Sequence, residues 1–480
     1  KLDLRFYDAQ HQKANVVAEA YKNFNDKTAT LKKKLSSLIR DLPESTSSPT
    51  GDNVLSTALP DYCETDMDLS DVEDKLASSH NSVGVTKILA NTNMMSGKLR
   101  MGMIGGGPGA FIGYVHRLVA CMDGEIELVC GAFSSHPSKS EEMGQKLNLP
   151  SNRVYSSYLE MIEKESKLAE NERMNFVSIV TPNHLHFDPA CKALEHGFDV
   201  VLDKPMTFSF DQALKLKQIL AEHSPKRTFC LTHTYTGYPM VKQARQMILA
   251  KQFGKIRKVY VEYPQAWLST NVDNKQAQWR TDPQQSGLSG CMGDIGTHAF
   301  NLAEYISGLK VTQVSADLNT VVDGRKLDDD GSVLLKFDNG ASGVLFASQI
   351  CAGEENNVKI RVYGELGGIE WQQQDANSLM VKWLNKPTEI YRTGGGYLST
   401  YATHNTRIPS GHPEGYLEAF ANHYRNFALT VKAKHRGENA TEEWLDFPGI
   451  EDGIRGMLFI EKCVENSQNN KEKWTPLMNV

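Results

Sequence analysis

The stretch Met101-Gly102-Met103-Ile104-Gly105-Gly106-Gly107-Pro108-Gly109-Ala110 decides the reading of the fold. A short apolar strand runs into a cluster of glycines, and an amphipathic segment with Phe111, Ile112, Val115, Leu118 and Val119 follows. This order predicts a dinucleotide-binding turn. Gly105 permits the sharp exit from the strand. Gly107 lets the backbone approach a pyrophosphate without a Cβ in the way, and Ala110 takes the third small position, where helix and strand pack closely. The helix that starts here aims unpaired N–H groups at the phosphates, so Pro108, Phe111 and Ile112 join the expected cofactor contacts.

Downstream, strands and helices alternate. Strands are expected over 127–133, 175–181, 200–202 and 228–232, and helices over 138–147, 188–196 and 210–222. The alternation predicts an α/β domain with a doubly wound parallel sheet, its ligands lying beyond the carboxyl ends of the strands. Three of those ends carry polar signals. Ser134-Ser135-His136-Pro137-Ser138-Lys139 follows the second strand, with no Asp or Glu between Leu128 and Ser140. Ser134, Ser135 and Lys139 suit a 2′-phosphate in place of a ribose-binding acid, although a solvent turn that tolerates either cofactor explains them too. NAD or NADP is therefore expected, with NADP slightly favoured. Thr181-Pro182-Asn183-His184-Leu185-His186 and Asp203-Lys204-Pro205 end the next two strands.

Beyond Thr232 the pattern changes. A helix is expected over 238–249, then long alternating strands over 256–267, 311–318, 331–337, 341–349, 358–363 and 368–372. Asp338-Asn339-Gly340 and Gly364–Gly367 are hairpin-turn signals. These predict an α+β domain whose mixed or antiparallel sheet is packed by helices on one face and open on the other, a face suited to a homodimer or homotetramer. Between the first two strands, Ser289-Gly290-Cys291-Met292-Gly293-Asp294-Ile295-Gly296-Thr297-His298 leads into a helix over 299–306. On a helical turn Asp294 and His298, four apart, share a face.

The front of the chain differs. Ala14, Val17, Tyr21, Phe24, Thr28, Leu31, Leu35, Leu38 and Leu42 alternate spacings of three and four. That period fits a coiled coil that self-associates or captures a partner, and equally a lone amphipathic helix docked on a core. Pro43 ends it, and a polar linker follows. The expected organisation is a heptad helix over 1–42, a linker over 43–97, a dinucleotide-binding domain over 98–232 and a substrate-binding and oligomerisation domain over 233–480.

The 480 residues carry a net charge of −6, which gives no nucleic-acid footprint. No apolar run is long enough to span a bilayer. The eight cysteines are scattered without a CxxC pair, so they read as free thiols rather than a disulfide frame or zinc site. No metal site and no signal peptide are read, and the expected compartment is the cytoplasm.

Taken together, the glycine turn, Thr181-Pro182-Asn183 with His186, Asp203-Lys204-Pro205 and Gly293-Asp294-Ile295-Gly296-Thr297-His298 resemble the Gfo/Idh/MocA family, named for glucose–fructose oxidoreductase and inositol dehydrogenase. The resemblance covers about residues 98–470 and includes Gly411–Phe420 and Asp452–Gly456. It implies that Lys204 lies between nicotinamide and substrate, and that Asp294 and His298 form the family's acid–histidine pair. Thr181, Pro182, Asn183 and His186 fall on its nicotinamide-side loop. Trp279 and Arg280 match a segment that reaches cofactor, and Tyr235 a loop that lines the sugar pocket. Asp203 stands where glutamate is usual, which puts that acid's cofactor contact in doubt.

The expected reaction is hydride transfer between NAD(P) and a secondary hydroxyl or ketone of a sugar, glycoside or inositol. His298 would take the hydroxyl proton, Asp294 would fix its tautomer, and Lys204 would stabilise alkoxide character. Tyr263, Trp267, Arg407 and His412 are further candidates for sugar contacts. Two rivals remain: a glycoside hydrolase or lyase that uses tightly bound NAD in a redox-neutral cycle, and a non-catalytic nucleotide-binding scaffold.

Overall fold

The structure, a computed structural model, describes residues 97–223, 226–469 and 472–477. The heptad helix read over 1–42 and, except for Gly97, the linker over 43–97 lie outside the described residues.

Five parallel strands form the first sheet: β1 (Leu99–Gly105), β2 (Ile126–Ala132), β3 (Phe176–Val180), β4 (Asp199–Leu202) and β5 (Phe229–Leu231). Their order is β2-β1-β3-β4-β5. Every residue of β3 and β4 is buried, as expected of strands covered on both faces. Alternate side chains go to opposite sides. Val177, Ile179, Val200 and Leu202 share one core with residues of the helices Tyr158–Ser166, Phe187–Glu195 and Phe210–His223. Met101, Met103, Phe176 and Val201 share the other with helix Phe111–Cys121 and, from far along the chain, Phe420, Tyr424 and Phe427 of helix Tyr416–His435. A parallel sheet needs helices on both faces, and one of these comes from the C-terminal half of the chain. Helix Ile450–Gln468 joins both halves, with Ile454 and Met457 in the first core and Phe459 and Cys463 in that of the second sheet. Helix Tyr158–Ser166 was not among the expected elements. It is short, and Ser157 caps it by accepting from the Glu160 N–H.

The second sheet has nine strands: β6 (Lys258–Pro264), β7 (Val311–Asn319), β8 (Asp330–Phe337), β9 (Ser342–Ser348), β10 (Lys359–Tyr363), β11 (Gly367–Gln372), β12 (Ser378–Trp383), β13 (Glu389–Arg392) and β14 (Thr475–Pro476). They run β13-β12-β11-β10-β6-β9-β8-β7-β14. Among the described residues only β6 and β9 pair in parallel in this sheet, so it is mixed. Along β8, Val333, Leu335 and Phe337 are buried while Ser332, Leu334 and Lys336 are exposed, the alternation of a sheet with one open face. Gly340 closes the β8–β9 hairpin at φ +87°, a conformation that favours glycine.

Candidate functional site

The sheet ends build the site from the glycine turn outward. Gly105 and Gly106 have φ of +87° and +72°. A Cβ on Gly107 would stand 2.7 Å from the Phe133 carbonyl oxygen, so the bare backbone forms the floor of the cleft there. Ala110 caps helix Phe111–Cys121 without a side-chain bond, which leaves first-turn N–H groups free for an anion. The close helix–strand approach expected at Ala110 is made instead by Gly113, where a Cβ would lie 2.3 Å from the Gly106 Cα. Ala110 itself lines the cleft. These residues fit a dinucleotide diphosphate.

The cleft has a volume of about 1240 Å³ and runs from this turn to the second sheet. It is lined by Gly105, Gly107, Pro108, Phe111, Ile112, Ser134, Ser135, Lys139, Thr181, Pro182, Asn183, Asp203, Lys204, Tyr235, Trp279, Arg280, Asp294 and His298. His186 is not among them. Its two ring nitrogens each lie 2.8 Å from a backbone carbonyl, of Thr181 and of Pro205. It is a buried strut between two strand ends, and the expected cofactor contact is corrected accordingly.

Asp203 turns inward, accepting from the Lys204 N–H at 2.9 Å and the Thr232 hydroxyl at 3.0 Å, with His116 Nε2 3.9 Å away. Burial pushes its carboxyl up, but His116, Lys204 and His186 outweigh that and hold it below the usual carboxylate range. Lys204 Nζ donates to Oδ1 and to the carbonyl of Asp294, each at 2.7 Å. Asp294 Oδ2 accepts from Arg280 Nε at 3.2 Å and Gln349 Nε2 at 2.9 Å. Again burial opposes ionisation, yet Lys204 and Arg280 keep the Asp294 carboxyl below its ordinary range.

Asp294 sits on a π-helical turn, Met292–Gly296, that runs into helix Thr297–Ser307. Asp328 holds the start of that turn by accepting from the Gly290 and Met292 N–H groups, each at 2.8 Å. No hydrogen bond joins Asp294 to His298 among the described residues. The two cations and the Gln349 amide take up the carboxylate, so Asp294 does not fix the His298 tautomer through a hydrogen bond, although its charge still favours the His298 imidazolium. His298 Nδ1 lies instead 3.4 Å from His233 Nδ1. Burial, then Lys204 and His233, push the His298 imidazole well below its usual range, so it is neutral.

Against His298 stands an uncharged wall, with the Tyr235 ring edge-on to the imidazole at a centroid distance of 5.0 Å. Tyr235 and Tyr263 share a hydroxyl–hydroxyl bond, Tyr263 donates to Asn356 Oδ1 at 2.7 Å, and Asn356 Nδ2 donates to Gln373 at 3.0 Å. Trp267 Nε1 donates to Gln265 at 3.0 Å. Arg280 lies over Trp279, 4.2 Å from its centroid. Arg407 and His412 take no part in this wall. Arg407 clamps Asp123 through both carboxylate oxygens at 2.7 and 2.6 Å, and His412 is exposed with Nδ1 3.1 Å from the Pro409 carbonyl.

Comparison with known proteins settles the family. Residues 99–230 match an oxidoreductase family with an NAD-binding Rossmann fold, and residues 241–370 match the GFO/IDH/MocA C-terminal domain. The uncharacterized oxidoreductase YfiI of Bacillus subtilis (strain 168) is 32% identical over 393 residues, which cover 81% of this chain and 99% of that protein. The chain belongs to the Gfo/Idh/MocA family. Among solved Gfo/Idh/MocA-like structures, an oxidoreductase from Sinorhizobium meliloti is 43% identical with a TM-score of 0.71, covering 79% of this chain and 99% of its own. An inositol dehydrogenase homolog complexed with NAD+ from Azotobacter vinelandii is 33% identical with a TM-score of 0.75, covering 79% and 97%. As a Gfo/Idh/MocA member the chain is an oxidoreductase with an NAD-binding domain.

Within this Gfo/Idh/MocA site, Gln265, Gln349, Asn356, Gln373, His116 and His233 were not singled out from sequence. Gln265 directly follows β6 and Gln373 directly follows β11. Position just past a strand at the cleft end of the sheet is the signal that finds them.

Proposed function

We propose that the chain oxidises a secondary hydroxyl of an uncharged cyclic polyol or sugar and reduces the corresponding ketone in reverse. The observation that carries this is the Lys204–Asp294 ion pair at 2.7 Å beside the neutral His298, in the cleft whose far end is the glycine turn. Bound nicotinamide supplies the hydride acceptor. Lys204 offers its ammonium to the reacting oxygen and stabilises negative charge developing there. His298, neutral and lining the cleft, accepts the hydroxyl proton. Asp294 holds the Lys204 ammonium in place through two bonds. The Tyr235, Tyr263, Asn356 and Gln373 wall offers donors and acceptors without net charge, which suits hydroxyls over phosphates or carboxylates.

Ser134, Ser135 and Lys139 at the β2 end support NADP slightly over NAD, while the Azotobacter vinelandii relative carries NAD+. The open face of the second sheet, with Leu334 exposed, supports assembly as a homo-oligomer. All seven described cysteines are free, which supports a reducing compartment such as the cytoplasm. A panel of inositols, free sugars and sugar phosphates, run with NAD and NADP separately and followed by nicotinamide absorbance, tests the reading. Turnover of inositols or neutral sugars is expected. Cofactor binding without turnover of any polyol would overturn it.

A further inference from the structure

We propose that His233 is a positioning residue for this reaction: it fixes the tautomer of His298 and takes up the proton that His298 removes. The proposal rests on the dehydrogenase reading above. Asp294, the residue expected to orient His298, is committed elsewhere, to Lys204, Arg280 and Gln349. The only side-chain nitrogen within hydrogen-bond distance of the His298 ring, among the described residues, is His233 Nδ1, 3.4 Å from His298 Nδ1. The rings meet edge to face, with centroids 5.2 Å apart and planes at 81°. Both are buried, and His298 Nε2 has no hydrogen-bond partner among the described residues, which leaves it to the cleft that His298 lines.

Two facing nitrogens of neutral imidazoles hold one hydrogen between them. For His298 to accept a proton at Nε2, its own hydrogen must sit on Nδ1 and be donated to His233 Nδ1. His233 then carries its hydrogen on Nε2. Its position is fixed through the backbone: the His233 carbonyl accepts from Thr236 Oγ1 at 3.0 Å and from His423 Nε2 at 3.1 Å. The charged or titratable groups around it are Lys204, Asp203, His423 and His298. Burial most of all, then Lys204 and His423, disfavour charge on His233, and Asp203 favours it, so the imidazolium there is transient and passes its proton on.

The proton balance is simple. The substrate O–H bond breaks as an N–H bond forms at His298 Nε2. The His298 Nδ1–H bond breaks as an N–H bond forms at His233 Nδ1. His298 ends neutral with its hydrogen on Nε2, and His233 ends as the imidazolium. The electron pair of the substrate C–H bond would leave as hydride to the oxidised nicotinamide that the proposed reaction takes as its acceptor.

Two variants separate positioning from proton uptake. His233→Asn offers a side-chain oxygen to the His298 Nδ1–H but takes no proton, and His233→Phe does neither. In cofactor-free protein with nitrogen-labelled histidine, His298 is expected to show the Nδ1–H tautomer in wild type and in His233→Asn, and a mixture in His233→Phe. Turnover should fall about 10²-fold in His233→Phe, the lower end for positioned proton transfer, and less in His233→Asn. KM and cofactor affinity should stay near wild type. Wild-type turnover in His233→Phe, a wild-type His298 carrying its hydrogen on Nε2, or a loss of cofactor affinity that parallels the loss of turnover would each overturn the proposal. His298→Ala separates the two readings: normal turnover there sinks the dehydrogenase assignment, whatever the tautomer spectrum shows.

Discussion

Lys204 and Asp294, 90 positions apart in the chain, meet at 2.7 Å in the cleft. Lys204 follows β4 of the parallel sheet, and Asp294 rides a π-helical turn between β6 and β7 of the mixed sheet. Their bond therefore couples the two halves at the point where hydride transfer is expected. Replacing Lys204 with Met keeps most of the side chain's volume and removes the charge. Asp294 retains Arg280 and Gln349 as partners, so the fold should persist. Turnover should fall by at least about 10², the cost of losing one electrostatic stabiliser of a developing oxyanion. KM should rise as well, because the same ammonium holds the ground-state hydroxyl. Steady-state kinetics with a folded, cofactor-binding K204M protein checks this.

His298 has a different signature. Its ring lines the cleft, whereas the diphosphate turn lies at the other end. Alanine there should reduce turnover by about 10²–10⁴ and leave cofactor affinity close to wild type. Titrating cofactor into the variant by tryptophan quenching and measuring single-turnover rates gives both numbers. A proportionate loss of both would place His298 in cofactor binding instead.

Three neutral imidazoles, His233, His298 and His423, are buried in this region, and that has a consequence for acid stability. Burial, reinforced by Lys204 and His423, lowers His233 to about 3. Burial and then Lys242 lower His423 to about 3 as well. His298 moves in the same direction. Below about 6.5 the unfolded chain protonates these rings and the folded chain does not. The unfolded state then binds more protons, so stability is fully present above pH 6.5 and is lost as pH falls toward 3. Each ring contributes a slope of about 1.4 kcal/mol per pH unit inside that window. Asp203 and Asp294 act in the same direction, but only below the ordinary carboxylate range. Urea denaturation at pH 7.0 and at a pH near 5.5 (a choice set by the histidine window) should show a lower midpoint at the acid value with an unchanged slope. Equal midpoints would mean that the rings are already charged in the fold.

What could be read from the chain alone follows a physical division. Gly105 and Gly107 were legible because backbone geometry at a strand–helix turn restricts the residue type locally. Gly113 escaped because its role, close contact with Gly106, depends on a helix folding back over the turn. β12 carries a readable alternation in Leu379 and Val381, but β13 is a mostly exposed edge strand and β14 has two residues, so neither leaves a clear pattern. In the site, Lys204 stood out because it follows a strand, and Asp294 and His298 because they lie four apart on the turn that leads into a helix. Asn356 and His233 did not, since their partners come from elements distant in sequence. His186 and Arg407 show the converse. A histidine bridging two carbonyls and an arginine clamping Asp123 have the composition of ligand-binding residues and the job of struts.

Gly113 yields a prediction that separates turn geometry from helix packing. A Cβ at this position meets the Gly106 Cα at 2.3 Å and its carbonyl oxygen at 3.3 Å, both backbone atoms that no side-chain rotation can move aside. Gly113→Ala must push helix Phe111–Cys121 away from β1, at a cost typical of overpacking, about 1–3 kcal/mol. The helix also carries the free N–H groups at Phe111 and Ile112, so cofactor affinity should drop together with stability. Gly124→Ala is the control. Gly124 also has a positive φ, +72°, but its Cβ would meet nothing within 4 Å, and the residue lies outside the cleft. It should lose about 1 kcal/mol from the left-handed backbone and keep full cofactor affinity. Thermal unfolding and cofactor titration of both variants decide the matter, and unchanged affinity in Gly113→Ala would mean that helix and turn are not rigidly coupled.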